Sequence, residues 1–366
     1  MPTPQQVPPG RAGVSGGPAQ RPDAGETPER ALTLGPGFRR TAVATTVASL
    51  LLVAVGGAVR ATDSGLACPD WPRCYGRWVP AADLNMWLEH SHRLLAGVVV
   101  AMVGVLASWA LARHRGRRDL LWPALGAFAL VTAQAGLGAL VVLRLLRAEL
   151  VTAHLGMAMA VVACLLYLTV NAYLPRRRDR LAAGAGLARD GVAVAGLTYV
   201  QILVGGHVTG IGAGLAFDLE GFPLYSGAVL PAVTSPQEAF HVAHRSLALL
   251  LVAAVAWLCV RALRYRRRLA AAGLWTGPRR WLLRLPLVAA GLVVVQVLLG
   301  VANVANGLSF LTVIPHLAVA SWIWALLVLG ALLAHRLAPE PGRVSRRDGA
   351  ARTARLVPSV GAGERP

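Results

Sequence analysis

Glu89-His90-Ser91-His92-Arg93 stands at the mouth of an uncharged apolar run, Leu94 to Ala112. Ionisable groups at such a place are costly and point to function. The pattern returns as His241-Val242-Ala243-His244-Arg245, ahead of the apolar run Ser246 to Val260. Two further histidines enter apolar runs in the same way, His154 in Thr152-Ala153-His154-Leu155-Gly156 and His316 in Ile314-Pro315-His316-Leu317-Ala318.

Working outward, eight apolar runs are long enough to cross about 30 Å of hydrocarbon, at roughly 20 residues each. They cover approximately residues 40–59, 91–112, 120–142, 151–173, 191–211, 240–260, 282–304 and 312–334. In a bilayer such runs must be helices, because a strand or coil would leave its backbone without partners. Of the 366 residues, 55% are hydrophobic and only 14% charged. The mean hydropathy is +0.56. These values exclude an ordinary soluble domain and predict an all-α integral membrane protein.

The net charge of +19 would suggest nucleic acid in a soluble protein. Here the arginines lie between apolar runs, where they set topology, so no nucleic acid is expected. The connections after the second, fourth and sixth runs hold four, five and seven arginines, with Arg284 just inside the seventh run, and the other four connections hold five in all. This asymmetry predicts both termini on the cytoplasmic side. Residues 1–37 and 337–366 read as disordered cytoplasmic tails, and 176–190 as a cytoplasmic linker.

An internal repeat sets two four-helix halves side by side, 38–175 and 191–336, in the same orientation. Gly56-Gly57-Ala58-Val59 matches Gly205-Gly206-His207-Val208, and Glu89-x-x-His92-Arg93 matches His241-x-x-His244-Arg245. Gln134-x-x-x-Gly138 matches Gln296-x-x-x-Gly300, and His154 matches His316. All four histidines should lie at one depth, within the first turns of their spans. A histidine pair in an apolar bundle is what a bis-imidazole haem needs, which suggests His92 with His154 and His244 with His316 as iron ligands. The plain alternative at each position is a hydrogen-bonded histidine between helices.

Arg93 and Arg245 follow a ligand candidate and suit haem propionates; snorkelling to the interface is the alternative. Glu89 shares a helix face with His92, where a carboxylate can handle protons. Its alternative is a capping charge at the helix start. Cys68 and Cys74 share a polar loop on the oxidising side, where a disulfide fits better than a metal-binding thiol pair. Cys164 and Cys259 fall inside apolar runs and read as inert.

Gly57-x-x-x-x-Thr62-x-Ser64-Gly65-Leu66-x-Cys68-Pro69-Asp70-Trp71-Pro72-x-Cys74, Glu89-x-x-His92-Arg93, His244-Arg245 and Pro315-His316 together resemble the bacterial haem A synthase family, over roughly residues 38–336. The resemblance implies two four-helix bundles in the bacterial plasma membrane and oxidation of the C8 methyl group of haem O to a formyl group. It implies haem b on His244 and His316, substrate haem O at His92 and His154, and an essential Glu89. Cys68 and Cys74 match a cysteine pair found in some members. Expected partners are haem O synthase, cytochrome oxidase assembly proteins and an unnamed electron donor. The competing readings are a non-enzymatic di-haem b electron carrier, which would need equivalent halves, and a repeat-built transporter. The Glu89/His241 difference speaks against the first, and histidines high in their spans against the second.

Overall fold

Each apolar run becomes one long helix in the computed structural model, which describes residues 34–174, 185–219, 231–275 and 277–337. They are α1 (Pro36–Ala61), α2 (Leu84–Arg113), α3 (Arg118–Leu143), α4 (Ala148–Tyr173), α5 (Ala185–Gly210), α6 (Pro236–Ala271), α7 (Trp281–Ala305) and α8 (Phe310–Leu337). All eight are long and apolar enough to cross a membrane, so the chain is an all-α, multi-pass membrane protein. Buried hydroxyls on α1 turn back on their own helix: Thr45, Thr46 and Ser49 donate to carbonyls four residues earlier, each at 2.8 Å. That satisfies their protons within the helix, and the Thr46 hydroxyl also meets Thr169 Oγ1 of α4 at 3.2 Å.

Consecutive helices close into rings of four. α1 packs on α2 and α4, and α3 bridges α2 and α4; α5 packs on α6 and α8, and α7 bridges α6 and α8. The halves meet through α1, α4, α5 and α8. Each ring has its own apolar core, and both cores sit at the Arg-rich end. The first joins Phe38, Val103, Leu106, Leu120 and Leu165; the second joins Leu187, Val255, Leu258, Leu282 and Ile323. A third cluster, including Leu50, Met159, Ile202 and Trp324, fills the seam between the halves. The cores of the two rings are therefore concentrated away from the histidines.

The helices outrun the apolar runs. α2 begins at Leu84, seven residues before the expected 91, because Asp83 caps it by accepting the Met86 amide at 2.9 Å. α6 begins at Pro236 and continues to Ala271, eleven residues past the expected end. Its start is a capping box: Ser235 accepts from the Glu238 amide at 3.3 Å, and Glu238 accepts from the Thr234 amide. α1 starts at Pro36 and α5 at Ala185, so each takes in residues expected to be tail or linker. Residues 1–33, 175–184 and 338–366 of the expected tails and linker lie outside the described residues.

Candidate functional site

The four histidines keep a common depth. His92 and His244 each lie eight residues beyond the first residue of their helix, Leu84 and Pro236; His154 and His316 each lie six beyond theirs, Ala148 and Phe310. At 1.5 Å per residue this is about 9–12 Å from the helix start. His92 and His154 are close enough to interact electrostatically, and so are His244 and His316. Each half thus brings one pair together, as the repeat implied.

Each ring rests on a glycine of the preceding helix. A Cβ at Gly56, Gly138, Gly205 or Gly300 would stand 3.0, 2.9, 2.7 or 3.3 Å from Cε1 of His92, His154, His244 or His316 respectively. All four glycines lie five residues before the end of their helix, at Ala61, Leu143, Gly210 and Ala305. A methyl group at most of these positions would push the ring, so the glycines set where each imidazole stands. Nδ1 of His92, His154 and His316 is fully enclosed and has no hydrogen-bond partner among the described residues. The residues themselves are only half-buried, which leaves the Nε2 edge of each ring as the open one.

Above each pair a loop folds down in the same way. After α1, Asp63 takes a left-handed conformation (φ 51°) and Ser64–Leu66 form a 3₁₀ turn; after α5, Gly212 (φ 69°) leads into the turn Ala213–Leu215. The amide of Cys68 then donates to Glu89 at 2.7 Å, and the amide of Phe217 donates to Nδ1 of His241 at 3.2 Å. Arg93 donates to the Cys68 carbonyl at 2.7 Å, and Arg245 to the Asp218 carbonyl at 3.3 Å. Ser64-Gly65-Leu66-Ala67 and Ala213-Gly214-Leu215-Ala216 carry this correspondence, a short match that the larger repeats hid.

Inside that shared frame the chemistry differs. Glu89, only 3% exposed, is held by the Cys68 amide and by an ion pair with Arg93. Helix spacing put Glu89 and His92 on one face, yet the carboxylate turns up into the loop. The helix cap is Asp83, so the capping alternative for Glu89 falls away. Arg93 also donates to the Asp70 and Arg73 carbonyls, each at 2.7 Å. Four of its five N–H groups serve the loop and Glu89, leaving Nε as the donor available to a propionate. Cys68 and Cys74 form a disulfide, both buried, that closes this loop.

The remaining polar residues pack structurally. His90 stands edge-on to Trp87, His114 edge-on to Phe38, and His207 lies 4.5 Å from the Phe240 ring. The thiols of Cys164 and Cys259 donate to the carbonyls of Pro123 and Pro286, each at 3.3 Å.

Two imidazoles per half are suited to axial ligation of an iron, and little else stands beside them. No group of three or more His, Cys, Asp or Glu able to hold a metal ion occurs among the described residues. The arrangement suits an iron that brings its own equatorial nitrogens, and an apolar ring of four helices suits the macrocycle around it. The fold and site therefore define a polytopic helical membrane protein with two half-buried imidazole pairs, suited to haem.

Comparison with known proteins makes the class specific. The profile of the COX15-CtaA family, described as cytochrome oxidase assembly protein, matches residues 39–328, and the chain belongs to that family. The chain is 30% identical over 232 residues to "Heme A synthase" of Alkalihalophilus pseudofirmus, covering 61% of this chain and 77% of the relative. It is 28% identical over 301 residues to "Heme A synthase" of Symbiobacterium thermophilum, covering 79% and 93%. A third "Heme A synthase", from Halalkalibacterium halodurans, is 30% identical over 229 residues, covering 61% and 76%.

Proposed function

We propose that this protein is a haem A synthase of a bacterial plasma membrane, oxidising the C8 methyl group of haem O to a formyl group for cytochrome oxidase. Family membership supports the reaction, and the observation that assigns it to one half is the buried Glu89, where the second half holds His241. His92 and His154 hold substrate haem O. His244 and His316 hold haem b, which supplies one-electron transfer when bound. The Arg-rich ends face the cytoplasm, so the disulfide loop and both histidine pairs lie toward the oxidising side.

The chain's own contribution follows from its geometry. The Cys68 amide and Arg93 hold the Glu89 carboxylate in place beside the substrate site. Methyl oxidation proceeds through successive hydroxylations that require proton transfers, and a positioned carboxylate can carry protons to or from that site. The loop closed by Cys68–Cys74 covers that carboxylate and limits water around it. Haem O synthase and other assembly proteins are the partners that would deliver and collect such apolar haems, and an unnamed electron donor would serve the bound haem.

The test is pigment analysis of membranes that also make haem O. Purified protein should yield haem b together with O- or A-type haem; haem b alone at both sites would make it an electron carrier. Glu89→Gln should retain haem b yet lower haem A formation by about 10²–10⁴-fold. Parental haem A formation in this variant would end the catalytic role of Glu89.

A further inference from the structure

The sequence repeat sets two glycines in a row, Gly56-Gly57 on α1 and Gly205-Gly206 on α5. Supporting an imidazole accounts for the first of each pair. The second meets the other half. A Cβ at Gly57 would stand 2.8 Å from Cδ2 of Leu317 on α8, and one at Gly206 would stand 2.9 Å from Cδ2 of Leu155 on α4. Leu317 directly follows His316, and Leu155 directly follows His154. Each contact therefore crosses the seam and ends beside a ligand candidate of the opposite half.

The α4–α5 face is closed at two more places. A Cβ at Gly156 would stand 2.9 Å from Leu203 Cδ2 and 2.9 Å from the Tyr199 hydroxyl oxygen, and one at Gly210 would stand 2.8 Å from Ala148 Cβ. His154 thus lies on a stretch of α4, Ala148 to Gly156, that α5 holds on both sides of the histidine. Helices approach this closely where one of them lacks a side chain. Packed interiors yield little, so a leucine displaced at such a contact shifts its backbone and the adjoining histidine.

We infer that each Gly-Gly pair is a bearing shared by the two halves: its first glycine places an imidazole of its own half, and its second places one of the other half. Gly57, Gly206, Leu155 and Leu317 are then positioning residues that act across the seam. In this arrangement α1 positions both His92 and His316, and α5 positions both His244 and His154. Neither half completes a haem site alone, and the two sites are held in fixed register, which suits passage of an electron between their haems. The inference rests on the haem-binding roles proposed above.

The experiment uses purified full-length protein carrying both haems. Each haem type is quantified after extraction, and its low-spin state is read by electron paramagnetic resonance. Gly57→Val changes the first half, yet should lower haem b several-fold or shift its low-spin signal. Gly206→Val changes the second half, and should do the same to the O- or A-type haem. Gly138→Ala presses on His154 from α3, which packs on α2 and α4 of its own half. It should lower the O- or A-type haem and leave haem b at the parental level. Parental behaviour of the opposite half's haem in either valine variant overturns the inference. So does a loss of haem b in Gly138→Ala as large as that in Gly57→Val. Where a valine variant fails to accumulate, the facing leucine is shortened too, as Gly57→Val with Leu317→Ala or Gly206→Val with Leu155→Ala. This exchanges volume across the contact and should restore the protein and both haems; no restoration overturns the inference. Parental protein without O- or A-type haem would instead overturn the functional proposal, while haem b in Gly57→Val would still decide the bearing.

Discussion

The two histidine pairs share a frame and differ in what touches them. In the first half a buried carboxylate receives the loop amide and a disulfide closes the loop. In the second half a neutral imidazole receives the loop amide, the residue aligned with Cys68 is Phe217, and Gln201 lies below Gly205. The scaffold that aims two imidazoles into an apolar bundle tolerates either set, because the loop needs only one acceptor and one arginine to stay down. Function can then diverge between the halves without disturbing the fold.

The comparison breaks most severely at the ligands. His244→Ala or His316→Ala should remove haem b and bring haem A formation below detection, whereas His92→Ala should leave haem b in place. Absorbance and extracted pigment check both; a low-spin haem b spectrum unchanged in His244→Ala and His316→Ala would show that these residues are not ligands.

Next in size are the supporting glycines, where the distances rank the outcomes. A methyl at Gly205 would stand 2.7 Å from His244 and must displace the ring, so Gly205→Ala should cut haem b content several-fold. Gly300→Ala, at 3.3 Å from His316, should cost much less. Equal losses in the two variants would mean that the close approach does not set ring position.

The smallest effect belongs to the first loop. Asp70 accepts the amides of Gly76 and Tyr75 at 2.8 and 2.6 Å, and the Gly76 hydrogen bond leads in holding its carboxyl below the ordinary 3.8. A lowered folded pKa means the turn gains stability above about 3.8 and loses it as pH falls through the folded value. Hydrogen exchange at the Tyr75 and Gly76 amides, corrected for intrinsic rates, should show protection at neutral pH that disappears in strong acid. Asp70→Asn should show weak protection throughout; full protection in that variant would place the turn's stability elsewhere.

Much of this was legible in the chain. Eight apolar runs forced eight helices, since only a helix satisfies its own backbone in lipid. The repeated His-Arg pairs marked four matching positions, and two cysteines six residues apart marked the disulfide. Less legible were the outward start of α2 and the extended α6, because residues 84–90 and 261–271 are too polar to register as span. Asp83 and the Ser235-Pro236-x-Glu238 cap were the local signals for where those helices start. The match between the two loops is faint in the chain because it is four residues long, although it keeps the offset that relates Gly56 to Gly205.

By itself the sequence determined the class, the number of spans, the histidine pairs and the family, because hydropathy and motif spacing are properties of one chain segment at a time. Only the tertiary structure decided which glycine supports which imidazole, that Glu89 turns to the loop and Arg93 holds it there, and that the Gln134 and Gln201 amides meet the His154 and His244 carbonyls. Those are contacts between different helices, and side-chain direction across a packed interface is set by neighbours that no single segment contains.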